Sequence, residues 1–272
     1  MTTPAGTATA HYAAINGLNM YYETYGPDGG VPLVLLHGAL SATETSFGRL
    51  IAGLANDRRI IAVEQQGHGR TADIDRPIRV PQMAEDTIAL LEQLDVPQAD
   101  LYGYSMGAGI AVEIAVRRPD LVRKLVLASV SINTGGFHPG VLDGIDMMTA
   151  EAMVGSPFEA EFLRLAPRPQ EWPTLVAKTQ DMDRNLTDMP SGVFGRITAP
   201  TLLVFGDSDI IRPEHAVELF RLLGGGVAGD MTGLPASRLA ILPGTTHVTV
   251  PEQADVLVPM VRSFLGRGRQ TS

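Results

Sequence analysis

Cysteine is absent from the 272-residue sequence. Its absence excludes disulfides, thiolate catalysis and Cys-ligated zinc or iron–sulfur sites. It says little about compartment, because a cysteine-free chain tolerates either redox state. Basic charge is also in short supply: 21 Lys and Arg stand against 30 Asp and Glu, a formal net charge of −9. A nucleic-acid binder that tracks phosphates needs a basic face, which this balance opposes. The same balance gives no pull toward an anionic membrane surface. Nor does any stretch approach the roughly 20 apolar residues that a membrane-spanning helix requires. Residues 1–14 hold no basic cluster and no apolar run suited to a secretory signal. Internal repeats and low-complexity tracts are missing too. The expectation is a soluble, cytoplasmic protein with neither nucleic acid nor membrane as partner.

What is present is an ordinary globular balance, 44% hydrophobic and 19% charged. A chain of this length buries roughly three-quarters of its unfolded surface. Two β-prone runs, residues 11–15 and 18–25, flank Asn16-Gly17, the dipeptide best suited to a two-residue hairpin turn. The apolar run Leu33-Val34-Leu35-Leu36 then ends in His37-Gly38, and suits a strand buried on both faces. Helical spacing over residues 47–54 and 81–94 alternates with buried runs at 60–63 and 101–102. A helix over 108–116 and a strand over 124–128 follow. Repeated units of this kind mean a parallel sheet covered by helices on both faces.

The alternation stops at about residue 131 and resumes at the strand 201–205. A further strand at 238–242 and an amphipathic helix at 252–265 complete the chain, with a tail from 266 to 272 expected to be disordered. The intervening segment, about 70 residues, exceeds an ordinary loop. It holds Met147, Met148, Met153, Met182 and Met189, five of the eleven methionines, and the only tryptophan, Trp172. The domain reading is therefore one α/β core over 1–130 and 200–272, with a helical cap inserted at 131–199. The cap methionines, with Phe158, Phe162, Trp172 and Phe194, form either a plastic apolar pocket wall or the cap's own small core.

Gly103-Tyr104-Ser105-Met106-Gly107 matches G-x-S-x-G. The pattern is short, so its context matters: a buried strand precedes it and a helix follows. A sharp strand-to-helix turn lifts a serine Oγ clear of the sheet in a strained conformation, and tiny flanking residues let the backbone pass close by. Ser105 is thus the candidate nucleophile rather than a simple helix N-cap. A serine needs a base within hydrogen-bond reach. His11 lies in the hairpin, His37 and His68 sit in tight turns and read as structural, and His138 falls in the insertion. His215 follows Pro213 on a helix and reads as a solvated face. His247 follows the last strand, in a loop at the carboxyl edge of the sheet beside the serine turn, and is the candidate base. The acid comes from Gly206-Asp207-Ser208-Asp209. Asp209 reaches further into the site, whereas Asp207 suits a turn cap. Residues 129–134 contain no acid.

His37-Gly38, Gly67-His68-Gly69, the serine turn, Gly206-Asp207-Ser208-Asp209 and His247 occur in an order that resembles the α/β-hydrolase superfamily. The similarity is to its small esterase, haloperoxidase and perhydrolase branch. Glu64-Gln65-Gln66-Gly67 departs from the usual Asp-x-x-Gly. The resemblance implies an α/β-hydrolase fold, no metal or organic cofactor, and a Ser105–His247–Asp209 triad. It also implies an oxyanion hole from the backbone N–H groups of Met106 and Ala39, with Leu40 the alternative to Ala39. Serine at 105 argues against the dehalogenases and epoxide hydrolases that use aspartate there. The expected activity is cleavage of a small to medium, mostly apolar carboxylic ester through an acyl-enzyme. The same triad also serves lactones, thioesters, amides and C–C bonds, and a non-catalytic ligand-binding protein is the third reading. Substrate identity, enantioselectivity and the choice between monomer and homodimer are not written in the sequence.

Overall fold

The computed structural model describes residues 8–266. Residues 267–272, most of the tail expected to be disordered, lie outside that range. Strands β1 (Thr9–Ile15) and β2 (Leu18–Tyr25) form the expected hairpin. Its turn residues Asn16 and Gly17 take φ of 49° and 88°, the paired left-handed conformation that a two-residue hairpin needs. Strands β3 (Leu33–Leu36), β4 (Ile60–Val63), β5 (Ala99–Tyr104), β6 (Val122–Ala128), β7 (Thr201–Ser208) and β8 (Arg238–Thr246) complete an eight-stranded sheet. Its order is β1-β2-β4-β3-β5-β6-β7-β8, parallel from β4 through β8. The hairpin joins antiparallel through β2 and β4.

Every residue of β3, β4 and β5 is buried, which explains their unbroken apolar runs. Alternate side chains feed two separate cores, because successive residues of a strand point to opposite faces. Val34, Leu36, Ile61, Val63, Leu101, Leu125, Leu127, Leu203 and Phe205 join one cluster. Leu33, Leu35, Ile60, Ala62, Tyr102, Val126, Leu202 and Val204 join the other. Helices α1 (Thr43–Leu54) and α8 (Ala254–Leu265) cover the second face. Helices α2 (Val80–Gln93), α3 (Met106–Arg117) and α6 (Pro213–Leu222) cover the first. The helix expected at 108–116 begins two residues earlier because the turn at Ser105 feeds directly into it. The last helix begins later than expected, since Val250–Glu252 forms a separate 3₁₀ turn.

Between β6 and β7 lie α4 (Pro157–Leu165) and α5 (Trp172–Arg184), linked by turns and short 3₁₀ segments. Their apolar residues do not make an isolated core. Phe162, Trp172, Leu175, Val176, Met182 and Phe194 belong to the same cluster as Leu40 and Met106. A short helix α7 (Gly229–Thr232) precedes β8.

At the opposite, amino-terminal edge of the strands, Asp100 is fully buried between two arginines. Arg58 donates to it at 2.8 Å and Arg123 at 2.8 and 2.5 Å. The spare donors of these residues cap the end of α8: Arg58 bonds the Gly266 carbonyl at 2.5 Å, Arg123 that of Leu265 at 3.2 Å, and Lys124 that of Phe264 at 2.6 Å. Cations there satisfy the last carbonyls and the negative end of the helix dipole. Replacing Asp100 by Ala strands the buried Arg58 charge and should cost on the order of 3–5 kcal/mol, read as a lower urea midpoint.

Glu64, just past β4, is also buried and accepts the Arg70 N–H at 2.6 Å and the Arg70 guanidinium at 3.0 Å. Burial outweighs these donors and pushes its carboxyl up from 4.5 to about 7. The folded state then binds a proton that the unfolded state releases. The stability gained from this group is full below pH 4.5 and is lost as pH rises through about 7. Glu64→Gln should flatten that stretch of the melting-temperature profile relative to the wild type.

Candidate active site

Ser105 occupies the turn between β5 and α3 with φ 53° and ψ −119°. A left-handed non-glycine residue is strained and persists only where packing fixes it. Here the packing is backbone on backbone. A Cβ on Gly107 would collide with the Leu36 and His37 carbonyls, and one on Gly103 with the Gly107 carbonyl and Ala108. The Ser105 N–H is anchored to the Ala128 carbonyl of β6 at 2.9 Å.

Two loops from the carboxyl edge of the sheet meet this serine. The Ser105 hydroxyl donates to His247 Nε2 at 2.9 Å, and His247 Nδ1–H donates to Asp209 Oδ1 at 2.8 Å. The Tyr104 hydroxyl donates to the His247 carbonyl at 2.9 Å, fixing the histidine backbone. Asp207 makes no hydrogen bond to His247 among the described residues. It accepts the Gly244 and Thr245 N–H groups at 2.9 and 3.2 Å and so braces the turn that carries His247.

Asp209 is buried and surrounded by donors. Ser129 Oγ reaches its Oδ2 at 2.5 Å, and the Ile211 N–H reaches Oδ1 at 3.2 Å. Burial raises the carboxyl, but the bond and charge of His247, with Ser129 and Ile211, outweigh it and hold the group below the usual carboxylate range. Ser129 itself takes a left-handed φ of 54° at the end of β6. Its part is invisible in the sequence: a serine after a strand carries no signal, and only the adjacency of β6 and β7 brings it to Asp209.

On the other side of Ser105, His37 and His68 are fully buried, their rings 5.1 Å apart. Burial pushes His37 down to about 3 and His68 down to about 4. Neutral His37 donates through Nδ1 to the Gly38 carbonyl at 2.8 Å and accepts the Gln65 N–H on Nε2 at 3.0 Å. It thereby fastens the loop after β3. In that loop Leu40 takes a φ of 56°. The N–H groups of Ala39, Leu40 and Met106 have no acceptor among the described residues. Ala39 is half-buried whereas Leu40 is buried, which leaves the Ala39 side of the loop the more accessible.

The remaining histidines stand apart from Ser105. His11 stacks on Tyr22 in the hairpin, and His138 lines a surface hollow of about 390 Å³ with Phe137, Asp143 and Arg212. His215 corrects the sequence expectation of a solvated face. It is 1% exposed, accepts the Ile132 N–H at 3.2 Å and faces Glu218 at 3.1 Å. The insertion folds back over this face of α6 and covers it. The start of the insertion is zipped to the chain just after Asp209: Phe137 bridges Ile211, and the Arg212 N–H bonds the Gly136 carbonyl at 2.8 Å.

Residues 33–260 match the alpha/beta hydrolase family, so the chain belongs to that family. Hydrolysis is the general activity this membership gives it. The uncharacterized hydrolase YugF of Bacillus subtilis is 27% identical, over 92% of this chain and 96% of its own. Carboxylesterase CesB of Bacillus subtilis superposes with a TM-score of 0.71 at 22% identity, covering 95% of this chain and 92% of that one. The enol-lactonase of Burkholderia xenovorans LB400 does so with 0.70 at 19% identity, covering 93% and 99%. Among the described residues no helix is long and apolar enough to cross a membrane.

Removing the Ser129 hydroxyl gives a direct check on the Asp209 environment. Ser129→Ala should cost about 1.5–3 kcal/mol near neutral pH, the usual worth of a hydrogen bond to a charged group. Because that bond favours the carboxylate, the penalty should shrink as pH falls through the Asp209 titration. Carboxyl carbon NMR on the variant should show Asp209 titrating at higher pH than in the wild type.

Proposed function

We propose that the protein is a serine carboxylic-ester hydrolase, and that Ser105, His247 and Asp209 are its catalytic triad. The observation that carries this reading is the unbroken hydrogen-bond line from Ser105 Oγ through the His247 ring to Asp209, with contacts of 2.9 and 2.8 Å at a strained strand-to-helix turn.

The chemistry follows from the donors and acceptors in place. His247 Nε2 takes the Ser105 proton as Oγ attacks the ester carbonyl carbon. Asp209, held ionised by its donors, keeps Nδ1 protonated and stabilises the imidazolium. The carbonyl oxygen becomes an oxyanion, which the free N–H groups of Met106 and Ala39 bind. The tetrahedral species collapses, and the alcohol leaves with the proton from His247. Water, deprotonated by the same imidazole, attacks the acyl-enzyme, and the acid departs while Ser105 regains its proton. Apolar residues of the insertion share a cluster with Leu40 and Met106, which suits a mostly apolar ester of small to medium size as the partner. The site of action proposed is the cytoplasm.

A fluorophosphonate probe tests the assignment directly. A single adduct mapped to Ser105 by peptide mass is the expected result; a folded protein that takes up no label overturns it. Ser105→Ala should lower ester turnover by roughly a million-fold. Asp209→Asn should lower it by about ten thousand-fold with the fold intact. A panel of p-nitrophenyl esters, lactones, thioesters and anilides would place the preferred acyl bond, with esters expected to lead.

A further inference from the structure

Tyr104 is the last residue of β5, next to Ser105 in the chain, and its side chain is buried between two parts of the site. Its hydroxyl donates to the His247 carbonyl at 2.9 Å, and its ring lies 5.5 Å from the imidazole, centroid to centroid, tilted by 36°. Burial, with the charge of Asp209, pushes the phenol well above its ordinary value, so it stays a donor wherever that carboxylate is ionised. The backbone of His247 has little else to hold it. It lies directly after β8 and, among the described residues, makes no hydrogen bond to another backbone group. The two residues before it are better secured. Asp207 accepts the Thr245 N–H at 3.2 Å, and Thr249 Oγ1 accepts the Thr246 N–H at 2.8 Å.

The same ring lies against Gly38. A Cβ on Gly38 would stand 2.8 and 3.0 Å from two carbons of the Tyr104 ring, inside the roughly 3.5 Å at which carbon atoms pack. Gly38 is not among the residues of positive φ, so it is the ring, rather than the backbone conformation, that calls for glycine there. The peptide joining Gly38 to Ala39 carries the unpaired Ala39 N–H on one edge. On its other edge the Gly38 carbonyl accepts His37 Nδ1–H at 2.8 Å. Tyr104 thus packs beneath the residue whose peptide presents the candidate oxyanion donor, while its hydroxyl holds the candidate base.

We propose that Tyr104 is a positioning residue for both arms of the reaction: its hydroxyl sets the place of His247, and its ring sets the peptide that carries the Ala39 N–H. The proposal rests on the hydrolase reading of Ser105, His247 and Asp209. Attack by Ser105 Oγ moves a proton to the imidazole and charge to the carbonyl oxygen in one step. Base and donor must therefore be placed relative to Ser105 and to each other. A side chain that neighbours Ser105 along β5 gives both the same reference point. The two duties fall on different atoms and can be separated by substitution. Phenylalanine keeps the ring against Gly38 and loses the bond to His247, whereas leucine loses both.

The test measures turnover of a p-nitrophenyl ester and of its thiono counterpart, in which sulfur replaces the carbonyl oxygen. Sulfur is larger and a weaker acceptor, so the ratio of the two rates reports how well the N–H donors are aimed. Tyr104→Phe should lower kcat about ten-fold on both substrates, leaving KM and the ratio as in the wild type. Tyr104→Leu should lower kcat further and shrink the ratio. Wild-type kcat in Tyr104→Phe, or the wild-type ratio in Tyr104→Leu, overturns the proposal. Should Tyr104→Leu fail to fold, Gly38→Ala decides, because its Cβ meets the same ring from the other side. A shrunken ratio there supports the proposal and a wild-type ratio overturns it. Fluorophosphonate labelling runs alongside: a labelled wild type with an unaffected Tyr104→Phe defeats the role of Tyr104 alone, while an unlabelled wild type defeats the hydrolase reading.

Discussion

Much of this molecule depends on one close approach, that of the first turn of α3 to the end of β3. Gly107 lies against the Leu36 and His37 carbonyls, with no room for a side chain. The contact accompanies the left-handed φ of 53° at Ser105, two residues before Gly107. Gly107 matters through the side chain it lacks, since a Cβ there would push this turn away from β3. Strain at the serine is tolerable because β5 is buried at each position and tied on both sides, to β3 and to β6.

The partners of Ser105 are held by independent means. His247 is positioned by the Tyr104 hydroxyl and by a turn that Asp207 braces, while Asp209 is positioned by Ser129 and the Ile211 N–H. The chain after Asp209 is also stitched to the root of the insertion through Phe137, Gly136 and His215.

The sheet was legible because its strands are buried on both faces and read as continuous apolar runs. Ser105 was legible because the G-x-S-x-G turn needs its glycines, and His247 and Asp209 because they follow strands in the expected order. His215 was misread: a histidine after Pro213 looks solvated unless one knows that residues 131–136 return to cover it. Ser129 and the left-handed Leu40 were not readable either, since each depends on what a neighbouring strand or loop places beside it. The insertion was visible only as a break in pattern. Less than half of it is α-helix, and its turns and 3₁₀ segments have no strong period to detect.

The clamp at the far edge of the sheet bears on how the chain is completed during synthesis. Arg58, Asp100, Arg123 and Lys124 are in place long before the carbonyls of Phe264, Leu265 and Gly266 exist. Until then that face of the sheet, with Leu35, Tyr102, Val126 and Val204, has α1 over it but not α8. A nascent chain that already carries Ser105, and even Asp209, thus still lacks the second helix that covers this apolar face. Chaperone binding, aggregation and proteolytic triage have their widest opportunity in that interval, which closes when the final helix docks.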